Sequence, residues 1–419
     1  MSAQYSVMSQ VSANPETWAG IETIMDRELN CSCLYVSYYR DRMYFWILKE
    51  NGFQHFRQIK GKEILTYEGS VKNLDDFFAT GRFRSFGMSP RPTELCKGES
   101  SNAIQSKCNS FEDASHEGFR IGNESKENQG PKMNLPLCYK LIIAPVVDLL
   151  DGSEIIVVPD RCLYNIPFAA LPDESGKTLS ETFKIRVAPS LTTLRLIHDS
   201  PADYHSQTGA LIVGNPDVGE VIFKGRLTSI SRLPYAEKEA IMVGRKLGVE
   251  PLIGQQATKQ AVLEAMNSVA LIHWAAHGDS ERGEIALAPS FRPPNSILRE
   301  GLYLLTASDI SQVQLRAKLV VLSCCHSARG QIKAEGAVGI ARAFLGSGAR
   351  SVLVALWALD DSAAEQLMSH FYDHLVRGES ASDSLHQAMK WMRRNGYSDV
   401  KDWAPFVLIG DNVTFDFGK

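Results

Sequence analysis

Two apolar runs of the chain end in residues that can act as a general base and as a nucleophile. The run at 269–273 continues through the letters HWAAHG, which include His277. The run at 318–322 continues through SCCHSARG, which include Cys325. If both runs are neighbouring parallel strands, the imidazole and the thiol emerge at one edge of the sheet. Such a pair suits nucleophilic catalysis, because the imidazole takes the thiol proton and the thiolate attacks a carbonyl carbon.

The spacing of this pair and the small residue beside it support the same chemistry. His277 lies 48 residues before Cys325, and caspase-type cysteine peptidases place their histidine about 50 residues before the cysteine. Gly278 lets a substrate carbonyl approach the backbone closely. Its N–H group and that of Cys325 are therefore candidate donors of an oxyanion hole.

Two neighbouring residues of similar chemistry have simpler interpretations. Cys324 is predicted to be a buried thiol at a strand end, where a small apolar side chain fits. His273 is predicted to be a hydrogen-bonded structural histidine. His273 and His277 have the i, i+4 spacing of a zinc motif, but Trp274 stands where that motif has glutamate. The segment also has the pattern of a strand, so the sequence does not predict a metal site here.

The elements that would position the pair form an α/β pattern. Predicted strands lie at 154–158, 210–213, 269–273, 318–322, 351–355 and 406–409. Predicted helices lie at 137–150 with a kink at Pro145, and at 235–247, 258–266, 335–345, 360–374 and 382–394. Short continuous apolar strands that alternate with helices indicate a mostly parallel sheet covered on both faces.

The first third of the chain has a different pattern. Apolar and polar residues alternate over 33–59, with Asn51-Gly52 as a hairpin signal, which predicts a β-meander. Helices are predicted at 15–29 and 71–86. Residues 93–134 are rich in Ser, Asn, Glu, Lys and Gly and nearly free of large apolar residues, which predicts a disordered insert.

Composition limits the class of protein. The chain has 44 Lys+Arg and 48 Asp+Glu, for a net charge of −4, which argues against nucleic-acid or anionic-membrane partners. No apolar run approaches the roughly 18 residues of a membrane helix, and the N-terminal letters lack the pattern of a signal peptide. Eight cysteines in 419 residues, two of them adjacent, do not indicate a disulfide framework. We therefore expect a reducing, cytoplasmic location.

Longer segments resemble a known family. HWAAHG, LSCCHSARG, GAVGIARAFLGSGARSVLVALWALDDSAA and WAPFVLIGD, in this order, resemble the CHAT family. These are caspase- and separase-like domains of peptidase clan CD, usually attached to tetratricopeptide repeats. The resemblance covers roughly residues 137–411 and implies a caspase-like α/β/α sandwich. The chain would then divide into the meander and helix (1–92), the insert (93–134), a non-catalytic half (135–207) and a catalytic domain (208–419).

The resemblance also implies roles for individual residues. The family's histidine, directly before glycine, corresponds to His277, and its cysteine corresponds to Cys325. The family commonly has alanine where this chain has Cys324, and often Glu-Thr-Gly where this chain has His-Ser-Ala. Ser323 and His326 flank the two cysteines and are candidate substrate-binding residues, with packing as the alternative role of His326.

A further motif suggests a specificity pocket. The letters LWALDD resemble the separase loop LWDVTD, which lines the pocket for the residue before the cut. The resemblance implies that Asp360 and Asp361 select Arg or Lys by a charge-assisted bond, with Trp357 in the pocket wall. A carboxylate that caps the following helix is the alternative role of the two aspartates.

The sequence as a whole predicts a cysteine endopeptidase that cleaves proteins through a thioester acyl-enzyme. No metal or organic cofactor is implied. Besides the protein substrate, the expected partner is a regulatory protein or region with tetratricopeptide repeats. Two alternatives stay open: a catalytically silent CHAT-type interaction scaffold, and another thiol acyltransferase such as a transpeptidase.

Overall fold

The structure is a computed structural model that describes residues 24–28, 30–50, 52–67, 74, 77–78, 134–279, 283–291, 298–324, 339–357, 359 and 361–417. Its strands are β1 (Cys31–Tyr39), β2 (Arg42–Lys49), β3 (Gly52–Lys60), β4 (Glu154–Pro159), β5 (Lys184–Val187), β6 (Ala210–Pro216), β7 (Gly219–Phe223), β8 (Arg226–Ile230), β9 (Leu252–Gly254), β10 (Leu271–Ala275), β11 (Ile285–Ala286), β12 (Leu304–Leu305), β13 (Leu319–Leu322), β14 (Ser351–Ala355) and β15 (Phe406–Gly410). Its helices are α1 (Gly61–Tyr67), α2 (Leu135–Ile142), α3 (Leu191–His198), α4 (Pro234–Leu247), α5 (Lys259–Ala265), α6 (Ala307–Ser311), α7 (Gly339–Gly346), α8 (Asp361–Leu375), α9 (Ala381–Arg394) and α10 (Val400–Trp403).

Eleven of these strands form one mixed sheet in the order β3-β2-β1-β4-β5-β15-β14-β13-β10-β6-β9. From β14 to β9 all neighbours are parallel, and so are β1, β4, β5 and β15 among themselves. The two groups meet at β14 and β15, which pair antiparallel. The predicted meander is present as β1–β3 and joins this sheet because β1 pairs in parallel with β4.

Both faces of the sheet are covered, and the central strand β13 is apolar on both of its faces. On one face, Val320 and Leu322 of β13 pack with buried residues of α2, α5, α6 and α7. On the other face, Leu319 and Val321 pack with α4, α8, α9 and α10. The α/β/α layering predicted from the sequence is confirmed.

Several elements differ from the prediction. The helix predicted over 137–150 ends at Ile142, and the chain continues through turns past Pro145 into the 3-10 helix Val147–Leu149. The prediction missed β5, the β7–β8 hairpin and α3. Three further predictions fall largely outside the described residues: the helix at 15–29, the helix at 71–86 and the insert at 93–134.

Candidate active site

His277 follows the end of β10 and lies in a short hairpin with β11. The N–H of Ala286 donates to the His277 carbonyl at 2.9 Å, and the N–H of Asp279 donates to the Glu284 carbonyl at 2.8 Å. The ring Nε2 lies 2.8 Å from the carbonyl oxygen of Ser231. A carbonyl oxygen only accepts, so Nε2 carries a hydrogen, and in the neutral ring Nδ1 is the basic nitrogen. The contact thus fixes the tautomer that a general base needs.

The Ser231 carbonyl is a site feature that the sequence analysis missed, because it missed the β7–β8 hairpin. This hairpin turns at Lys224 and Gly225, which have φ of 50° and 76°, as a two-residue I′ turn requires. Lys-Gly is a weaker signal than Asn-Gly, and only the alternation of the flanking residues points to strands. The hairpin is tied to the histidine loop, because Lys224 Nζ pairs with Asp279 Oδ1 at 3.3 Å.

Gly278 lies between the two hydrogen bonds of the His277 loop. It pairs with Ile285 as an isolated antiparallel bridge, and the bonds on either side use the His277 carbonyl and the Asp279 N–H. Gly278 thus occupies a non-hydrogen-bonded position of the ladder. Within the part of the chain that the structure describes, its N–H has no acceptor. This is the property that an oxyanion donor needs.

The strand that leads to the predicted nucleophile is the direct parallel neighbour of the strand that leads to His277. Leu322 of β13 pairs with Trp274 of β10, and the N–H of Ser323 donates to the Trp274 carbonyl at 2.9 Å. Cys324 follows as a buried thiol, 1% exposed, with Sγ 3.7 Å from the same carbonyl. Cys325 and His326 lie outside the described residues. The shared edge that the sequence predicted for the two segments is present.

The predicted specificity loop follows β14. Trp357 is buried, 3% exposed, and its indole N–H donates to the Lys401 carbonyl at 2.8 Å. Its side chain therefore lies between the end of β14 and α10, and its place in a pocket wall stays a prediction. Asp361 is the first residue of α8, and Asp360 lies outside the described residues.

His273 has a structural role, as the sequence predicted. It is fully buried, with Nδ1 3.0 Å from the Tyr372 hydroxyl of α8 and Nε2 3.1 Å from Glu239 Oε1 of α4. The second contact meets the distance for an ion pair but not the angles of a hydrogen bond. Burial and the charge of Glu239 raise the pKa of Tyr372 well above its usual 10.0. His273 thus joins the sheet to two helices and is separate from the His277 loop.

A second polar cluster lies at the opposite edge of the sheet. Ligand atoms of Glu28, His198 and Asp411 lie within 4.8 Å of one another, as a metal site would require. Both carboxylates, however, already pair with arginines: Glu28 with Arg186, and Asp411 with Arg350. Ion pairing therefore accounts for the cluster without a metal.

The pKa values in this cluster follow from the pairing. Burial alone would raise the pKa of Asp411, but the His198 hydrogen bond and the charges of Arg350 and Arg186 hold it well below 3.8. Glu28 is held below 4.5 in the same way, chiefly by the charge of Arg186 acting against burial. Burial would lower the pKa of His198, but its bonds to Asp411 and Glu28 raise it above 6.5.

The fold and the sheet edge that carries His277 can now be compared with known protein families. The CHAT domain family matches residues 136–411, which is well over half of the chain. The chain therefore belongs to the CHAT domain family.

Two curated proteins are similar to part of this chain. Tetratricopeptide repeat protein 28 of Mus musculus is 33% identical over 336 residues, which cover 69% of this chain and 14% of the relative. The Homo sapiens protein of the same name is 31% identical over 334 residues, 69% of this chain and 13% of the relative. The chain thus spans about one seventh of the length of these relatives.

A solved structure has the same fold. The separase of the Saccharomyces cerevisiae separase–securin complex superposes with a TM-score of 0.51 at 11% identity, covering 95% of this chain and 31% of separase. At this identity the similarity shows the fold alone. Among the helices that the structure describes, none is long and apolar enough to span a membrane.

Proposed function

We propose that the chain is a cysteine endopeptidase in which Cys325 is the nucleophile and His277 the general base. The observation that carries this proposal is the parallel pairing of β10 with β13, closed by the bond from Ser323 to Trp274. Because parallel neighbours end at one edge, the segments after both strands begin side by side. The buried strands beneath make a rigid support for the two side chains.

The proposed reaction is acyl transfer. Cys325 gives its proton to His277 and attacks the carbonyl carbon of the peptide bond, while the N–H groups of Gly278 and Cys325 stabilise the oxyanion. His277 then protonates the leaving amine, and water hydrolyses the thioester to a free carboxylate. The Ser231 carbonyl holds the ring in the tautomer in which Nδ1 accepts the proton.

The finer assignments extend this proposal. Asp360 and Asp361 select Arg or Lys before the cut, and Ser323 and His326 line the substrate cleft. A regulatory protein or region with tetratricopeptide repeats is the proposed partner, because both curated relatives are named as tetratricopeptide repeat proteins. The non-catalytic half is proposed to end near residue 207, between α3 and β6.

The test is cleavage of a fluorogenic peptide library varied at the residue before the cut, under reducing conditions. We expect the native protein and Cys324→Ala to cleave after Arg or Lys, and Cys325→Ala to be inactive. Cys324 is the matched control, because it is an adjacent thiol that is buried against the Trp274 carbonyl. Cleavage after Asp would contradict the role of Asp360 and Asp361 and leave the nucleophile in place.

A thiol-reactive peptide probe completes the test for a latent enzyme. We expect labelling of the native protein and of Cys324→Ala, with none in Cys325→Ala. If neither peptides nor probe react, the chain is a scaffold, whose binding functions the Cys325→Ala variant would keep. The products separate the remaining alternative, because a transpeptidase would form a new amide instead of a free carboxylate.

A further inference from the structure

A cavity of about 270 Å³ lies at the sheet edge opposite His277. The antiparallel register of Ser351 with Gly410 places the end of β15 beside the starts of β14 and β13 there. Lys318, the residue before β13, and Arg350, the residue before β14, both line the cavity. Its volume is far larger than one water molecule needs.

The charges in this cavity do not balance. Arg350 is engaged by Asp411, with Nε 2.8 Å from Oδ2 and Nη2 in contact with the same oxygen. Lys318, in contrast, has no carboxylate within ion-pair distance among the described residues, and its contact there is with the ring of Phe415, 5.7 Å from the centroid. Burial and the charge of Arg350 both lower the pKa of Lys318. One half-buried cation is therefore left without a counter-charge from that part of the chain.

Two neutral side chains that can donate hydrogen bonds, those of Asn412 and Thr414, belong to residues that line the same cavity. Asn412 Oδ1 accepts from the N–H of Ser382 at 3.0 Å, which leaves the amide's Nδ2 to donate elsewhere. Thr414 lines the same cavity and is exposed, so its hydroxyl is the second candidate donor. His205 Nε2 donates to the Gly348 carbonyl at 3.0 Å. Burial lowers the pKa of His205; the hydrogen bond to Gly348 acts against this, and the charges of Arg350 and Lys318 lower the pKa further.

This donor set favours one kind of anion. An arginine fork suits a planar carboxylate, and the Nε and Nη2 donors of Arg350 both already contact Asp411 Oδ2. A point charge with separate amide and hydroxyl donors suits a tetrahedral anion, which presents oxygens in several directions. We propose that this cavity binds the phosphoryl group of a small molecule, either inorganic phosphate or a phosphomonoester, with the Lys318 ammonium as its charged contact.

Isothermal titration calorimetry with inorganic phosphate at low ionic strength tests the proposal on the native chain. We expect binding that weakens with added salt and is at least about tenfold weaker in Lys318→Gln, equivalent to about 1.4 kcal/mol. Lys177→Gln is the control, because Lys177 is an exposed lysine outside the cavity lining, and it should bind like the native chain.

A second variant and a second ligand keep the result decisive. Thr414→Ala, at an exposed position, should weaken phosphate binding even if Lys318→Gln does not fold. Glycerol 3-phosphate distinguishes the two possible ligands. Tighter binding than that of inorganic phosphate indicates a phosphomonoester, and equal binding indicates the free anion. The proposal is wrong if the native chain shows no binding at millimolar phosphate, or if Lys318→Gln and Thr414→Ala both bind like Lys177→Gln.

Discussion

The two parallel groups of the sheet use ionisable side chains differently. In β10 and β13 the only ionisable side chain is His273, and the candidate reactive groups come after the strand ends. In β4 and β5, by contrast, Glu154 and Arg186 lie within the strands and are buried. A charge in the interior of a sheet has to be paired, which fixes it in one arrangement. A group beyond a strand end keeps the access to substrate that chemistry needs.

The largest expected effect concerns the buried charges. Arg186 is fully buried, with Nε 3.0 Å from Glu154 Oε1 and Nη1 2.9 Å from the Gly410 carbonyl, and it also pairs with Glu28. Arg186→Met removes the arginine that two buried carboxylates share. We expect a loss of about 3–5 kcal/mol in the free energy of unfolding, measured with urea at pH 7.

A second substitution at the same position isolates the cause of that loss. Arg186→Lys keeps the charge but not the planar fork, so it should lose less than Arg186→Met. If the unfolding free energy of Arg186→Met lies within about 1 kcal/mol of the native value, the buried charges of β4 and β5 do not need their pairing as described.

The same cluster predicts how stability depends on pH. Asp411 and Glu28 have lowered pKa values, so their contribution is present above about pH 4.5 and is lost as the pH falls further. His198 has a raised pKa, so its contribution is complete below pH 6.5 and is lost as the pH rises through that raised value. We expect maximal stability between these limits, measured by urea unfolding across the range.

Asp411→Asn tests the acid side of this profile. Its unfolding free energy should fall less steeply below pH 4.5 than that of the native protein, because one carboxylate with a lowered pKa is gone. Asp217→Asn, at a carboxylate near the surface, serves as the control. Equal acid slopes in all three proteins would contradict the assignment to Asp411.

The difference between the two groups also explains what the sequence predicts well. The run LVVL is apolar throughout and LIHWA is apolar except for His273, so burial on both faces follows directly, and their shared edge follows from parallel pairing. The strand KIRV was missed because it has charges at alternate positions. Arg186 has no exposed surface, and one of the partners that make this burial possible, Glu28, lies 158 residues earlier in the chain. Local patterns carry no information about such a partner.

A smaller loss of stability is expected in the parallel group that contains β10 and β13. Tyr372→Phe removes the hydroxyl that lies 3.0 Å from His273 Nδ1 and leaves that nitrogen buried without its partner. We expect a loss of about 1–2 kcal/mol in unfolding free energy, with the proposed peptidase activity unchanged, because His273 is separate from the His277 loop. Tyr235→Phe is the control, since Tyr235 is 47% exposed. A loss no larger than that of the control would show that the His273 network does not stabilise the fold.

The smallest expected effect separates burial from pairing. Arg27 pairs with Asp199 at 3.3 Å, and both side chains are 46% exposed. Arg27 is the residue before Glu28 in the chain. It thus forms an arginine–carboxylate contact like that of Arg186, but one that is exposed to water. Because an exposed pair gains little net energy, Arg27→Ala should change the unfolding free energy by less than about 1 kcal/mol, and less still in high salt. A loss comparable to that of Arg186→Met would mean that pairing itself, and not the enclosed position within the strands, makes the buried charges important for stability.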